Sequence, residues 1–261
     1  VPFSLVSMMS SDPTKRFSNR VNDYVKYRPG YPAEVIRTLQ QECNLPANAV
    51  IADIGSGTGI FTAMLLQQGY QVYAVEPNND MQQAAVQHLG HHENFKPVSG
   101  SAAATTLNNN SIDLIVCAQA FHWFNNNDTR TEFNRILVQD GYVALIWNNR
   151  LTNADDFATE YDALLKLDSI DYNKVNHQNI SDIDFKLFFR DGIYKEIKFP
   201  NLQVFDEDGL IGRAFSSSYV PAKDTDEGKA FLKLLRQLFE KYNKNGKVNF
   251  HYQTEIYLGR V

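Results

Sequence analysis

The chain predicts an α/β fold in which a mostly parallel sheet carries helices on both faces. Apolar runs at 50–54, 71–75, 112–118 and 142–147 alternate with stretches of helical period. Strands of this kind, continuously apolar rather than alternating, are those buried on both sides of a parallel sheet. The first run also empties into three alternating glycines, Gly55, Gly57 and Gly59, where the backbone must turn sharply and stay bare. No repeat or low-complexity linker divides the 261 residues, so a single domain over residues 10–261 is expected.

Taken in order, Phe17, Val21, Tyr24 and Val25 recur at i, i+4, i+7 and i+8, a helical stripe that Pro29-Gly30 ends. Pro32 suits the first position of the next helix, with Val35, Ile36 and Leu39 inward. After the glycine loop, Ile60, Phe61, Met64 and Leu65 mark a helix stopped by Gly69; Met81, Ala84, Ala85, His88 and Leu89 mark another, stopped by Gly90. A short segment at 95–98 and a polar turn at 108–110 precede the strand Ile112 to Ala118. A helix from Thr129 to Val138, a turn at Asp140-Gly141 and a strand from Tyr142 to Trp147 complete five β/α repeats. Strict alternation then stops. Phe157, Tyr161, Leu164 and Leu165 fit a helix, Tyr194 to Phe199 a strand continuing toward Phe205, and Phe231 to Tyr242 an amphipathic helix. Residues 247–258 close with period-two alternation.

Composition excludes several classes. Hydrophobic residues at 43% and charged residues at 21% disfavour disorder, and no apolar stretch approaches the ~20 residues of a membrane helix. A net charge of −5 without a basic block disfavours nucleic acid as a partner. Cys43 and Cys117 stand alone, implying neither a disulfide framework nor a zinc site and suiting a reducing cytoplasm. Residues 1–7 lack a basic region and read as a frayed terminus rather than a signal peptide. His91-His92 with Glu93 reads as surface loop, with no metal expected, because adjacent histidines point different ways.

The glycine spacing separates two ligand classes. A dinucleotide loop needs G-x-G-x-x-G, yet position 60 is Ile60 and position 62 is Thr62. Seventeen residues past Gly59 the second apolar run ends in Glu76, where a carboxylate can accept both hydroxyls of a ribose.

The D-x-G-x-G-x-G pattern with Glu76 resembles motif I and the ribose-binding acid of class I methyltransferases that use S-adenosylmethionine. Ser111 to Phe124, ending Ala120-Phe121-His122-Trp123-Phe124, is similar to the fourth-strand motif of the type 11 group, especially its trans-aconitate methyltransferase branch. Tyr24-x-x-Tyr27-Arg28-Pro29-x-Tyr31-Pro32 is similar to that branch too, and the matches span about residues 17–147. The resemblance implies a three-layer Rossmann-like methyltransferase sandwich: a mostly parallel seven-stranded sheet, a C-terminal antiparallel hairpin formed by the Tyr194 and Phe250 strands, and a helical cap from about 151–187 and 209–244. It further implies that Asp53, Gly55, Ser56, Gly57 and Gly59 hold the methionine moiety of S-adenosyl-L-methionine and that Glu76 takes the ribose. Pro77 and Asn78 would flank the adenine, Gly100, Ser101, Ala102 and Ala103 would line it, and Gln119 and Ala120 would lie at the crevice. The common pattern has acids where Ser101 and Ala103 stand, so a carboxylate contact to the adenine amine is not expected here.

A sulfonium methyl is already electrophilic, so the protein chiefly aligns a nucleophile behind it. A carboxylate acceptor needs no base; a hydroxyl or amine does. His122 is the candidate base, or else an orienting residue in an aromatic cluster, and Trp123 and Phe124 are cleft walls. Tyr24, Tyr27 and Tyr31 are candidates for an aromatic lid over the sulfonium, and Arg28, Arg150 and Arg213 for contacts to an acidic substrate. The expected activity is methyl transfer to a small molecule, plausibly a carboxylate, in the cytoplasm; an RNA nucleoside acceptor and a non-catalytic adenosylmethionine-binding protein are the alternatives.

Overall fold

The computed structural model describes residues 27–168, 180–217 and 219–261. The helix expected from Phe17, Val21, Tyr24 and Val25 lies outside the described residues. Seven strands form one sheet in the order β3-β2-β1-β4-β5-β7-β6, with β1 at Val50–Ile54, β2 at Gln71–Val75, β3 at Phe95–Val98, β4 at Ile112–Ala118, β5 at Leu137–Arg150, β6 at Tyr194–Phe205 and β7 at Val248–Gly259. The first five are parallel; β7 runs antiparallel between β5 and β6, pairing with β6 over its whole length from Tyr194↔Gly259 to Phe205↔Val248.

Helices α1 (Ala33–Glu42), α2 (Ile60–Leu66) and α3 (Asn79–Leu89) bury Val35, Leu39, Phe61, Leu65, Ala85 and Leu89 against one sheet face. Helices α4 (Asn127–Ile136) and α6 (Asp182–Phe188) bury Phe133, Ile136, Phe185 and Phe188 against the other, around Ile115, Leu145 and Trp147. A third cluster joins α5 (Asp156–Asp168), α7 (Glu207–Phe215) and α8 (Asp226–Tyr242) to the far ends of β6 and β7 through Phe157, Leu210, Phe231, Phe205 and Phe250. Within 151–187, therefore, α5 gathers with α7 and α8, whereas α6 lies on the sheet. Among the described residues no helix is long and apolar enough to cross a membrane.

Three local expectations are corrected. Pro32 caps α1 with an extended ψ of 143° instead of starting it. His88 is exposed in the last turn of α3, where a basic group complements the helix dipole, and is not part of the inward stripe. α4 stops at Ile136 because Leu137 already pairs with Ile112; the next pair is Leu114 with Tyr142, so the Asp140-Gly141 turn is an irregularity inside one long strand.

Candidate active site

Parallel strands present their carboxyl ends along one edge of the sheet. The chain builds outward from β1 to β2 and β3, then returns to place β4 on the other side of β1, so a switch-point crevice opens above β1. There the glycine loop folds over the end of β2: the N–H groups of Gly55 and Ser56 donate to Val75 O at 2.9 and 3.2 Å. Gly57 N–H donates to Glu76 Oε2 and Asn78 N–H to Glu76 Oε1, both at 2.8 Å. Each carboxylate oxygen keeps capacity for a further hydrogen bond. Burial pushes the Glu76 carboxyl above its ordinary range, and these two N–H bonds offset only part of that rise. Gly57 has φ +56°, and a side chain placed there would meet nothing within 4 Å. A bare backbone turn facing open space beside a carboxylate with spare acceptor capacity fits an adenosyl ligand.

The other loop glycines are bare for different reasons. A methyl at Gly55 would lie 2.7 Å from Ala120 Cβ and 3.3 Å from Phe124 Cε1, so the loop after β1 rests directly on the loop after β4. Gly59, at φ +85°, begins α2, and its methyl would strike Leu89 Cδ1 at 2.6 Å; its bareness lets α3 approach. Asp53 is fully buried beneath the loop and accepts from Thr62 Oγ1 at 2.6 Å. Its other oxygen, Oδ1, has no partner among the described residues. Burial pushes this carboxyl up to about 7, with the Thr62 bond pulling down and the Glu76 charge pushing further up.

The loop after β3 is tied to this group by Glu76 N–H donating to Val98 O at 3.0 Å. Ser101 is exposed and exchanges backbone bonds with Ala104, Ala102 packs on the second sheet face with Val75, and Pro77 stands exposed at the rim. Glu132 of α4 clamps the end of the loop, accepting from both Thr105 N and Thr105 Oγ1 at 2.8 and 2.6 Å and from Arg135. The Arg135 guanidinium, against the opposing effect of burial and with help from Thr105, holds Glu132 down to about 2.

At the end of β4, Gln119 is left-handed at φ +59°, secured by its N–H to Ile146 O at 2.8 Å and its Nε2 to Asn148 O at 3.4 Å. Phe121 then plugs the core against Phe188 and Trp147, which leaves His122 half-buried and Trp123 37% exposed, their rings 4.8 Å apart. His122 thus lies in the short helical turn that follows β4.

The segment before α1 is strapped across the sheet. Gly30 O accepts from Asn148 Nδ2 at 3.1 Å and Asn201 Nδ2 at 2.9 Å, while Tyr27 O accepts from Gln203 Nε2 at 3.3 Å. The Tyr27 ring lies on Gly212 of α7, where a methyl would come within 2.1 Å of it, and Tyr31 packs edge-on to Phe61. Arg28 is half-buried between these two anchors, and Tyr24 lies outside the described residues.

Arg150 and Arg213 meet around Tyr161. Arg150, at the end of β5, pairs with Asp162 at 2.7 Å and sits 5.0 Å above the Tyr161 ring; Asp162 also holds Lys166. Arg213 is buried, donating from Nε to Tyr252 Oη at 3.3 Å and from Nη1 to Ser217 Oγ at 3.1 Å. Tyr252 in turn donates to Gln203 Oε1 at 3.0 Å. Burial opposes the Arg213 charge, but the surrounding oxygens of Tyr252, Tyr219 and Tyr161 outweigh it and hold the proton more tightly.

Sequence reasoning missed Thr62, Asn148, Asn201, Gln203 and Tyr252. One signal was present: Asn148 ends an otherwise apolar run, as Asp53 nearly ends β1, and a polar residue at that place in a buried strand points into the crevice.

Comparison with known proteins agrees with this geometry. A family model described as a methyltransferase domain, the type 11 group, matches residues 52–145. The chain is 33% identical over 137 residues to an uncharacterized methyltransferase-like protein of Schizosaccharomyces pombe, covering 52% of each chain, and 34% identical over 140 residues to an uncharacterized methyltransferase of Mycobacterium bovis, covering 53% of this chain and 54% of that one. It spans about half the length of these curated relatives. Its fold is similar to that of a candidate type II methyltransferase from Anaeromyxobacter dehalogenans (TM-score 0.65, 21% identity, 90% of this chain and 98% of that one). It is also similar in fold to Haemonchus contortus phosphoethanolamine N-methyltransferase 2, solved with S-adenosyl-L-methionine (TM-score 0.57, 11% identity, 97% of this chain and 60% of that one).

Proposed function

We propose that this chain is a class I S-adenosylmethionine-dependent methyltransferase of the type 11 group and that it methylates a small molecule bearing a carboxylate, a reading supported by the family match over residues 52–145. The observation that carries the reading is the convergence at Glu76, where one carboxylate is oriented by the N–H groups of Gly57 and Asn78 beside the open face of the glycine loop. S-adenosylmethionine, when bound, supplies an electrophilic methyl group on a sulfonium. Glu76 receives the ribose hydroxyls. Ser56 and the bare backbone at Gly55 and Gly57 cradle the amino-acid end, with Asp53 fixing the loop from below through Thr62. Pro77, Asn78, Ser101 and Ala102 border the adenine, and Gln119 closes the crevice from β4.

On the acceptor side, Tyr27 and Arg28 are carried on the strap that Asn148, Asn201 and Gln203 hold, and α5, α7 and α8 serve as the cap. An ionised carboxylate enters the site already nucleophilic, so alignment and exclusion of water suffice; His122 takes a proton only where the acceptor is a hydroxyl. The test is a binding titration with S-adenosylhomocysteine and, separately, NADH, followed by incubation with S-adenosylmethionine and a panel of small acids, reading S-adenosylhomocysteine release. Binding of the first ligand, refusal of the second and turnover on acids is the expected result. Preference for NADH, or turnover confined to RNA, would overturn the proposal.

A further inference from the structure

A cation taken out of water is costly unless an anion or several hydrogen bonds compensate it. Arg150 meets that condition through Asp162. Arg213 does not: it is 6% exposed, yet among the described residues no carboxylate pairs with it, and its fork is engaged only by two neutral hydroxyls, those of Tyr252 and Ser217. We propose that Arg213, with Tyr252 and Ser217, is a carboxylate-binding subsite that anchors the methyl acceptor from the cap side. The proposal rests on the methyltransferase reading and adds which residue recognises the acid.

The surroundings connect this group to the crevice. Arg213 lies next to Gly212, whose backbone carries the Tyr27 ring, and its partner Tyr252 reaches Tyr27 O through Gln203. Tyr252 is also paired with Arg150 across the β5–β7 ladder, two residues beyond Asn148, the residue Gln119 touches. Two residues of strand span about 7 Å, so the Arg150–Tyr252 pair stands about that far along β5 from Asn148. Recognition of a carboxylate rather than a phosphate follows from charge: the fork offers one positive charge and planar paired donors, Arg150 is already neutralised, and the other groups are neutral phenols and a hydroxyl. An acid bound here meets a desolvated cation that is already oriented. Without it, that charge is answered by phenol and hydroxyl oxygens alone among the described residues, with no carboxylate.

The experiment measures thermal melting of the full chain, with and without saturating S-adenosylhomocysteine, in succinate, in the uncharged isostere succinamide and in inorganic phosphate. Succinate at about ten times its dissociation constant is expected to raise the wild-type midpoint by about 3–5 °C, and succinamide to leave it unmoved. Arg213→Met is expected to melt no lower than wild type, since an apolar side chain of similar volume replaces a buried charge that no carboxylate pairs with, and to lose the succinate response. Arg213→Lys keeps the charge without the fork and should respond weakly. If Arg213→Met does not fold, Tyr252→Phe is read the same way, and there too a response diminished relative to wild type is expected. A wild type indifferent to succinate, a variant responding as fully as wild type, or a larger shift with phosphate than with succinate would overturn the subsite. Loss of the S-adenosylhomocysteine shift in the wild type would instead strike the methyltransferase reading, and the succinate arm without that ligand tells the two failures apart.

Discussion

Replacing Glu76 by Gln changes no shape and removes one charge, which makes its consequences calculable. In the folded protein both carboxylate oxygens are acceptors, one for Gly57 N–H and one for Asn78 N–H, each at 2.8 Å. An amide offers one oxygen and one NH2, so a donor must face one of those two backbone donors, leaving it unsatisfied in a buried setting at about 1–3 kcal/mol. For a chain of this size about 2 kcal/mol lowers the melting temperature by roughly 4–8 °C. The ligand-bound state loses more. Two ribose hydroxyls that donate to a charged acceptor contribute about 1.5–3 kcal/mol each, so losing the charge weakens S-adenosylhomocysteine by roughly a hundredfold or more. Calorimetric titration of wild type and Glu76→Gln at neutral pH, with melting curves of both unliganded proteins, separates the two effects. Unchanged affinity despite a lowered melting point would refute the reasoning, because Glu76 would then be a loop clamp alone.

The remaining predictions use the same loops. Gly57→Ala should fold with about 1–2 kcal/mol of left-handed strain and lose S-adenosylhomocysteine binding, whereas Gly59→Ala, whose methyl meets Leu89, should lower stability more than affinity; reversal of that order in paired melting and binding assays would misplace the open face. Because the folded protein holds the Asp53 proton up to about 7 while the unfolded chain releases it near 4, this group's contribution to stability is full below about pH 4 and falls as pH rises through 7, by up to about 4 kcal/mol; Asp53→Asn should flatten that part of a urea-denaturation pH series. Glu132 has the opposite sign. Held down to about 2 by Arg135, it stabilises above about pH 4.5 and ceases to as pH falls toward 2, and Glu132→Gln should cost about 2 kcal/mol at pH 7 in the same assay. His122→Asn should abolish transfer to hydroxyl acceptors and spare transfer to carboxylates, measured as product formed with each class; equal loss on both would make it a packing residue.

Legibility followed the range of the forces involved. β1, β2, β4 and the 142–147 part of β5 were readable because burial on both faces of a parallel sheet requires an unbroken apolar run, a local property of sequence, whereas β3, with Lys96 and Pro97 exposed, showed only as a short segment. The Leu137 start of β5 was not, since it depends on pairing with Ile112 rather than on the residues around it. In the site, the glycines and Glu76 were recognisable by spacing, yet the separate reasons for their bareness were not: open space at Gly57, Ala120 at Gly55 and Leu89 at Gly59 are contacts between segments distant in the chain. Asn201 and Gln203 looked like ordinary edge-strand polar residues until the strap at Tyr27 and Gly30 reached them.

By itself the sequence determined the α/β class, the order of the elements, the position of the cofactor-type loop and the acid that faces it, because each is written in residues within about one β/α unit of each other. Only the tertiary structure decided which charges were answered and which were left over. Arg150 and Arg213 look alike in the chain, but among the described residues Asp162 pairs with one, and phenols and a hydroxyl with no carboxylate surround the other. Electrostatic compensation depends on distance in space, and that distance exists only after α5, α7 and β7 have packed.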